Sequence, residues 1–150
     1  MIQHLKRFYK KYLGLNVNDS FSFSLLTNFW NPKNISNKWS VFINKYCSIL
    51  AWNKSRIIFS SNILIWPWVV ITSANHSIKK SDKLYDQIWH EEDVYIWDEV
   101  WIGANAVILP WVSLPKWTIV WANAVVTKSP EWEYTIIWGV PAKFLKNRPE

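Results

Sequence analysis

Three histidines and one cysteine are the side chains of this sequence best suited to proton transfer, metal binding or nucleophilic attack. His76 lies in the stretch Ala74-Asn75-His76-Ser77, where a neutral imidazole could accept a proton from a substrate hydroxyl. A histidine in such a stretch, taken alone, is more often a surface residue, so both interpretations stay open here. Cys47 is expected to be a buried, inert thiol, and a single cysteine excludes a disulfide within the chain.

A six-residue repeat must position these side chains. From Ile96 to Val120 a branched aliphatic residue stands at every sixth place, and a small or β-branched residue follows each one four places later. Earlier stretches repeat this pattern from Ile43, Ile49, Phe59, Ile65 and Ile71. Three such hexads form one triangular coil, and coils must stack because none is stable alone. The spacing predicts an all-β solenoid, a parallel β-helix, and it does not fit one face of an α-helix.

The chain is expected to fold as one domain over residues 1–150. Its predicted parts are an N-terminal cap (1–30) with a short helix over about 1–13, a β-helix (37–127), and a C-terminal helical cap (128–150) made of a closing strand and a short helix. The segment 72–92 keeps no hexad spacing and is predicted to leave the coil as a protruding loop. The N-terminal helix is amphipathic and basic, so it either caps the open end of the solenoid or rests weakly on a membrane surface.

Twelve of the thirteen tryptophans stand where the repeat favours glycine, and Trp101 is the exception. Eight of them lie at coil corners, at Trp39, Trp52, Trp66, Trp68, Trp97, Trp111, Trp117 and Trp121. Corners need tight turns and positive φ at some residues, which glycine adopts freely. Glycine is only 3 of 150 residues, and returning twelve tryptophans would make 15. We hypothesise that the gene comes from an organism that reads UGA as glycine, and that UGA was translated here as tryptophan. The alternative is a solenoid with true aromatic corners.

Charge and hydropathy indicate which classes of partner the chain could bind. The formal charge of +6 suits a phosphate-bearing ligand, although lysine-rich proteins of other functions share it. The sequence has no base-reading motif, so a nucleic-acid partner is not expected. Lysines and an arginine punctuate the first residues, and no apolar run is long enough to span a membrane. A cytoplasmic location is the expectation.

With glycine restored, residues 65–76 read IGPGVVITSANH, residues 96–110 read IGDEVWIGANAVILP, and residues 138–143 read GGVPAK. Over roughly Phe29 to Arg148 the chain closely resembles the left-handed β-helix acetyltransferases, in the sugar O-acetyltransferase branch with the maltose and galactoside enzymes. The N-terminal part looks more like acetyltransferases of surface polysaccharide pathways. The resemblance implies left-handed coiling, acetyl-CoA as acetyl donor, a sugar acceptor, no metal, and a homotrimer with active sites between subunits.

The resemblance also implies roles for particular residues. His76 would be the general base that takes the proton of the acceptor hydroxyl, with direct transfer and no acyl-enzyme. Asn44 would hydrogen-bond the sugar, unless it is a corner residue bonding its own backbone, and Trp101 would line the acceptor site. The coenzyme would contact Ala104, Ala122, Thr127 and Lys128, and its phosphates would be met by Lys143 and Arg148, although the lysines could equally be solvated surface residues.

Other functions are weighed against this one. A γ-type carbonic anhydrase on the same solenoid needs three histidines around one zinc. The chain has only His4, His76 and His90, and His4 lies in the predicted terminal helix, away from the solenoid faces, so this function is not expected. A non-catalytic trimeric scaffold or sugar-binding module stays open, as does an acetyltransferase that acts on an antibiotic or an amino sugar.

Overall fold

A computed structural model describes residues 10 and 12–150 and shows a solenoid of about five coils of short parallel strands. The first coil comprises β1 (Phe21–Phe23), β2 (Asn28–Trp30) and β3 (Ile35–Asn37), and the second comprises β4 (Val41–Ile43), β5 (Ser48–Leu50) and β6 (Ile57–Phe59). The third comprises β7 (Ile63–Ile65), β8 (Val70–Thr72) and β11 (Val94–Ile96), with β9 (Ala74–His76) and β10 (Trp89–Glu91) inserted before β11.

The fourth coil comprises β12 (Trp101–Ile102), β13 (Val107–Ile108) and β14 (Ser113–Leu114), and the fifth begins with β15 (Ile119–Val120) and β16 (Val125–Val126). The chain then forms β17 (Thr135–Trp138) and β18 (Lys143–Asn147). Two 3-10 turns span Pro32–Asn34 and Leu84–Asp86. In the described part of the chain, the strands of the solenoid form three sheets, in the orders β1-β4-β7-β12-β15-β17-β18, β14-β11-β6-β3 and β16-β13-β8-β5-β2, and β9 and β10 form a separate two-stranded sheet.

The aliphatic residues of the hexads form one continuous core. Register places Ile65 opposite Ile102, and Ile102 opposite Val120, so residues with the same place in each hexad stack along the solenoid. Ile96 and Ile108 are 1% and 0% exposed. Burying an aliphatic side chain of this size contributes about 1.5–3 kcal/mol. The predicted all-β solenoid with parallel sheets is confirmed, whereas the left-handed sense of coiling stays a prediction.

The solenoid begins earlier than the hexad pattern indicates. β1 pairs in parallel with β4, with Phe21 opposite Val41, so the first coil starts within the segment assigned to the N-terminal cap. Phe21 and Phe23 are 1% and 2% exposed, and their ring centroids lie 6.0 Å apart. Aromatic rings fill the inward positions at this end of the core. A search for branched aliphatic residues at six-residue spacing therefore misses the first coil.

The predicted C-terminal helix is wrong, whereas the closing strand predicted before it is confirmed. Residues 135–138 and 143–147 form the antiparallel pair β17 and β18, which ends the seven-stranded sheet. Thr135, Ile136 and Ile137 are buried and β-branched, which favours a strand, and Gly139 turns the chain with a φ of 92°. β18 pairs with β17 and so covers backbone groups that an open sheet edge would expose.

The predicted N-terminal helix falls almost wholly on residues outside the described part of the chain. Its predicted contact with the solenoid end or with a membrane surface falls there too. Within residues 10 and 12–150, no helix is long and apolar enough to cross a membrane.

Left-handed backbone recurs at the corners of the solenoid. Every sixth residue from Glu99 to Asn123 has positive φ, and so does Trp68. The φ angles of Trp68, Trp111 and Trp117 are 59°, 64° and 64°. This conformation costs a residue with a Cβ about 1–2 kcal/mol, and asparagine tolerates it best. Three of the eight corner tryptophans therefore occupy the backbone conformation that glycine adopts freely, and the other five do not.

Gly103 meets a different requirement at its corner. A Cβ built on Gly103 would lie 2.7 Å from the backbone nitrogen of Ala122 and 2.9 Å from the carbonyl oxygen of Val120. The backbone of the next coil thus approaches too closely for any side chain at this position. Close approach of neighbouring coils, as well as positive φ, makes glycine the fitting residue at corners.

Asp93 joins the second and third coils through a charged hydrogen-bond group. Its Oδ1 accepts the backbone N–H of Arg56 at 2.7 Å, and its Oδ2 accepts the guanidinium of Arg56 at 2.8 Å and the hydroxyl of Tyr95 at 3.0 Å. Burial by itself would raise the pKa of Asp93, but these hydrogen bonds outweigh burial and hold the pKa below its ordinary 3.8.

A lowered native pKa predicts that acid will weaken the fold. The unfolded chain binds the proton of Asp93 more readily, so the stabilisation is fully present above the ordinary pKa and is lost as the pH falls through the native pKa. Urea unfolding at several acidic pH values should show the free energy of unfolding falling, with a shallower fall for Asp93→Asn. Equal slopes for the two proteins would contradict the assignment. The pKa of Asp98 is also lowered, mainly by a hydrogen bond from the Ser60 hydroxyl and further by Lys116. The free energy of unfolding of Asp93→Asn should therefore still fall in acid, but less steeply.

Candidate active site

A β-hairpin inserted into the third coil carries His76. The chain leaves the solenoid after β8, forms the antiparallel pair β9 and β10, and returns at β11, so the predicted loop is an ordered hairpin. His76 ends β9 and is paired with Trp89 on β10. The imidazole is exposed, and its ring centroid lies 3.7 Å from that of Trp89. The two rings are tilted by 39°, and this close contact restricts the orientation of the imidazole while leaving it accessible to solvent.

The tip of the hairpin is closed by Gln87, which is 7% exposed. Its side-chain oxygen accepts the backbone N–H of Lys79 at 3.0 Å, and its amide group donates to the carbonyl oxygens of Lys79 and Asp82 at 2.8 Å and 2.9 Å. Hydrogen bonds thus order a segment that buries few apolar side chains. Gln87 has no place in the hexad pattern, and sequence analysis missed it for that reason.

The base of the hairpin is anchored by Ser55, Ser73 and Glu91, which sequence analysis also missed. Ser55 and Ser73 are buried, and their hydroxyl oxygens lie 2.7 Å apart. Ser73 directly precedes β9, and Glu91 ends β10, so both legs of the hairpin are held where they leave the solenoid. A serine in a hexad corner carries no sequence signal that distinguishes it from a solvated one.

His76 lines a space of about 380 Å³, which we name the histidine groove. Its walls are Asn75, His76, Ser77, Ile78, Lys79, His90 and Trp111. Trp111 belongs to the fourth coil, and its indole nitrogen donates to the carbonyl oxygen of Thr127 at 3.0 Å. The histidine groove is large enough for a small ligand and offers two imidazoles and a lysine to it.

Trp101, Ala104 and Ala122 lie together in a second space of about 330 Å³, which we name the alanine groove. Its remaining walls are Trp66, Gly103, Ile119, Val120 and Trp121. Trp101 is 37% exposed, and its ring centroid lies 6.3 Å from that of Trp66. These walls are apolar and include small residues, so the alanine groove suits an extended, mostly apolar ligand segment.

The histidine groove and the alanine groove share no lining residue. His76 lies on the hairpin that follows β8, whereas Trp101 lies on β12, in the seven-stranded sheet. A single chain therefore does not bring His76 and Trp101 to the same space.

Asn44 occupies a half-buried corner after β4. Its Oδ1 accepts the backbone N–H of Lys45 at 2.8 Å, and its carbonyl oxygen accepts the hydroxyl of Thr27 at 3.2 Å. A side-chain oxygen bonded to the next backbone nitrogen is the geometry of a corner residue. The side-chain nitrogen of Asn44 is the group that could donate to a ligand.

The residues predicted to meet phosphate lie at the C-terminal end of the solenoid. Lys128 and Lys143 line a third space of about 210 Å³ together with Glu131, which we name the lysine groove. Arg148 is not among its walls and lies 5.3 Å over the ring of Trp117. The carbonyl oxygen of Thr127 accepts the indole of Trp111. The structure brings the two lysines together and places Arg148 and Thr127 elsewhere.

Metal and thiol chemistry find little support in the part of the chain that the structure describes. No group of three histidine, cysteine, aspartate or glutamate side chains among the described residues could hold a metal ion. Cys47 is 1% exposed, and burial raises the pKa of its thiol above 9.0 although backbone hydrogen bonds oppose the rise. A raised pKa disfavours the thiolate that a nucleophile requires.

Sequence comparison finds related acetyltransferases. No family model matches the chain. A protein of Escherichia coli K12 named "Putative lipopolysaccharide biosynthesis O-acetyl transferase WbbJ" is 34% identical over 115 residues, which are 71% of this chain and 57% of that protein. The chain thus spans little more than half the length of this relative.

Structure comparison finds the same class of protein. The hexapeptide-repeat acetyltransferase VCA0836 of Vibrio cholerae, complexed with acetyl coenzyme A, matches with a TM-score of 0.84 at 23% identity, over 98% of this chain and 79% of that chain. A maltose O-acetyltransferase from Clostridium difficile 630 matches with a TM-score of 0.80 at 22% identity, over 99% and 89%. At identities this low, the high TM-scores establish a shared fold. Together the comparisons confirm the resemblance to hexapeptide-repeat acetyltransferases, with a maltose enzyme among the structural neighbours.

Proposed function

We propose that this chain is an acetyl-CoA-dependent O-acetyltransferase that modifies a hydroxyl of a sugar or polysaccharide precursor. The observation that carries the proposal is His76, an exposed imidazole beside a ligand-sized groove, on a hairpin that Ser73 and Glu91 anchor to the second coil. The match to the O-acetyl transferase of Escherichia coli supports the reaction, and the match to the acetyl coenzyme A complex of the Vibrio cholerae protein supports the donor.

In this proposal His76 acts as a general base. Its neutral imidazole accepts the proton of the acceptor hydroxyl as that oxygen attacks the carbonyl carbon of the thioester. The tetrahedral intermediate then collapses, the carbon–sulfur bond breaks, and the imidazolium returns the proton to the departing thiolate of coenzyme A. The acetyl group moves directly to the acceptor, so no acyl-enzyme forms and no side chain of the protein acts as nucleophile.

The proposed coenzyme site is the alanine groove. Ala104 and Ala122 leave room for the pantetheine arm, and Trp101 offers an indole face to the acceptor sugar. Lys128 and Lys143 in the lysine groove would supply positive charge for the nucleotide end. Arg148 and Thr127 lie outside that groove and are further candidates for contacts with the nucleotide end. Asn44 would donate from its side-chain nitrogen to the acceptor, because its oxygen already bonds Lys45.

A homotrimer would complete the site. His76 and Trp101 line different grooves of one chain, so a complete site needs the histidine groove of one subunit to face the alanine groove of the next. Closed cyclic symmetry then gives three equivalent sites.

Mixed trimers test this arrangement. His76→Ala lacks the proposed base, and Ala122→Phe fills the proposed coenzyme groove, so each variant alone should transfer acetyl groups poorly. When the two are co-expressed, about a quarter of the interfaces in a randomly mixed trimer should join an intact His76 to an intact groove. Acetyl transfer should recover to roughly that fraction. Co-expression of His76→Ala with His76→Gln is the matched control and should recover nothing. A mixture no more active than its parts would contradict a site between subunits.

We also propose that the twelve tryptophans other than Trp101 are glycine in the native protein. Support comes from the positive φ of Trp68, Trp111 and Trp117, and from the close approach of the backbone at Gly103. The change would also widen both grooves, because Trp111 lines the histidine groove and Trp66 and Trp121 line the alanine groove. It would remove the Trp89 ring that contacts His76, so in the native protein the imidazole would be positioned by the anchored hairpin and not by an indole. The codons at these positions test the proposal: UGA supports it, and UGG contradicts it.

A further inference from the structure

Two buried serines join the hairpin to the second coil. Ser73 is 0% exposed and Ser55 is 2% exposed. The Ser55 hydroxyl lies 2.7 Å from that of Ser73 and 3.1 Å from the Ser73 carbonyl oxygen, while the backbone N–H of Trp52 donates to the Ser73 hydroxyl at 2.9 Å. Buried hydroxyls are costly without partners, so this pair holds the two segments in one arrangement.

Glu91 extends this pair to the other leg of the hairpin. Its Oε2 accepts the backbone N–H of Lys54 at 2.6 Å and lies 3.5 Å from the Ser55 hydroxyl. These distances allow a chain of hydrogen bonds in which the Ser73 hydroxyl donates to Ser55 and the Ser55 hydroxyl donates to the Glu91 carboxylate. Hydrogen bonds to a carboxylate are stronger than those between neutral groups, so the bond from Lys54 to Glu91 ties the end of β10 firmly to the second coil.

The register of the hairpin connects Glu91 to His76. Glu91 pairs with Ala74, and His76 lies two residues further along β9 on the same antiparallel ladder. Ser73 anchors the start of β9, and Glu91 anchors the end of β10, both to residues 52–55 of the second coil. The angle at which the hairpin leaves the solenoid is thus set on both legs by one polar cluster.

We propose that Glu91 is a positioning residue for His76, acting through the Ser55–Ser73 pair and the hairpin ladder. The inference rests on the proposed function for its catalytic consequence and on the structure alone for its geometric one. Removal of the carboxylate releases the end of β10 and lets the imidazole move relative to the groove. A displacement of about 1 Å in a catalytic group can cost a rate of about 10²-fold.

Three variants test this proposal. Glu91→Ala should lower kcat for acetyl transfer by about 10- to 100-fold with KM for acetyl-CoA nearly unchanged, and it should shift the ring NMR signal of His76, identified by its loss in His76→Ala. Glu91→Gln keeps an oxygen that can accept from Lys54, so it should restore most of the rate and the signal. Glu92→Ala removes the neighbouring exposed carboxylate and is the matched control, with the parent rate and signal.

The NMR signal separates failure of this proposal from failure of the proposed function. If the parent chain transfers no acetyl group, the function is wrong, while a shifted His76 signal in Glu91→Ala still supports the positioning role. If Glu91→Ala keeps the parent signal and kcat, the positioning role is wrong even for an active enzyme. Ser55→Ala removes the link between Glu91 and Ser73 by a change outside the hairpin, so it repeats the test should Glu91→Ala fail to fold. It should shift the His76 signal and lower kcat, and parent values of both would overturn the link through Ser55.

Discussion

His76→Ala should lower the rate of acetyl transfer by about 10²- to 10⁴-fold, the range that a positioned general base contributes. The imidazole is exposed at the end of β9, so its truncation leaves the buried core of the solenoid intact. KM for acetyl-CoA should change little, because the proposed coenzyme groove contains no part of the hairpin. Steady-state kinetics of thiol release, with thermal unfolding of each protein as a check on folding, provide the measurement.

His90→Ala is the matched comparison for His76→Ala. His90 lies on the paired strand and lines the same groove, so its loss removes a groove imidazole without removing the proposed base. We expect a loss of less than about tenfold for His90→Ala. Equal losses of rate for the two variants, or a larger loss for His90→Ala, would contradict the assignment of His76 as the general base.

Glycine at Trp68, Trp111 and Trp117 should stabilise the fold by at most about 2 kcal/mol in total, because the ring contacts with Tyr46 and Tyr134 are lost. Relief of the left-handed conformation contributes about 1–2 kcal/mol per site, and the greater backbone entropy of glycine in the unfolded chain removes about 0.5–1 kcal/mol of it. Chemical denaturation of the triple variant gives the free energy of unfolding. Restoration of all twelve positions should in addition tighten acetyl-CoA binding, because two of the indoles removed line the alanine groove.

Trp101→Gly is the contrasting variant for these substitutions. Trp101 lies within β12 and is not among the residues with positive φ, so glycine there weakens a strand and relieves no strain. Its free energy of unfolding should fall. A triple variant less stable than the parent would show that the aromatic corners are native features.

The coils were predictable because their signal is local. Ile96, Ile102 and Ile108 recur at a spacing that only a solenoid explains, and all three are buried. The hairpin was predictable only as an interruption, because its order depends on partners far away in sequence, such as Ser55 with Ser73 and Lys54 with Glu91.

The errors at the two ends have a common cause. At the N-terminal end, Phe21 and Phe23 fill inward positions of the first coil where the pattern calls for aliphatic residues, and Leu13, Leu15 and Val17 pack against the same core, so tertiary packing decides which residues fit there. At the C-terminal end, β18 covers a sheet edge, a requirement set by tertiary structure and not by the sequence of residues 143–147 itself. For the candidate site, the register of the coils determines which residues line each groove. The separation of His76 from Trp101 depends on the topology of the chain, so the sequence around neither residue could predict it.

Transfer of a labelled acetyl group from acetyl-CoA to an acceptor tests the central claim most directly. The chain with its thirteen tryptophans and the variant with glycine at the twelve positions would each be incubated with labelled acetyl-CoA and a panel of sugars, sugar nucleotides, amino sugars and chloramphenicol. The account predicts a labelled O-acetyl ester on a sugar hydroxyl, equal in amount to the thiol released, and its near absence with His76→Ala. A folded trimer that binds acetyl-CoA but labels no hydroxyl, or that labels only an amine, would contradict it.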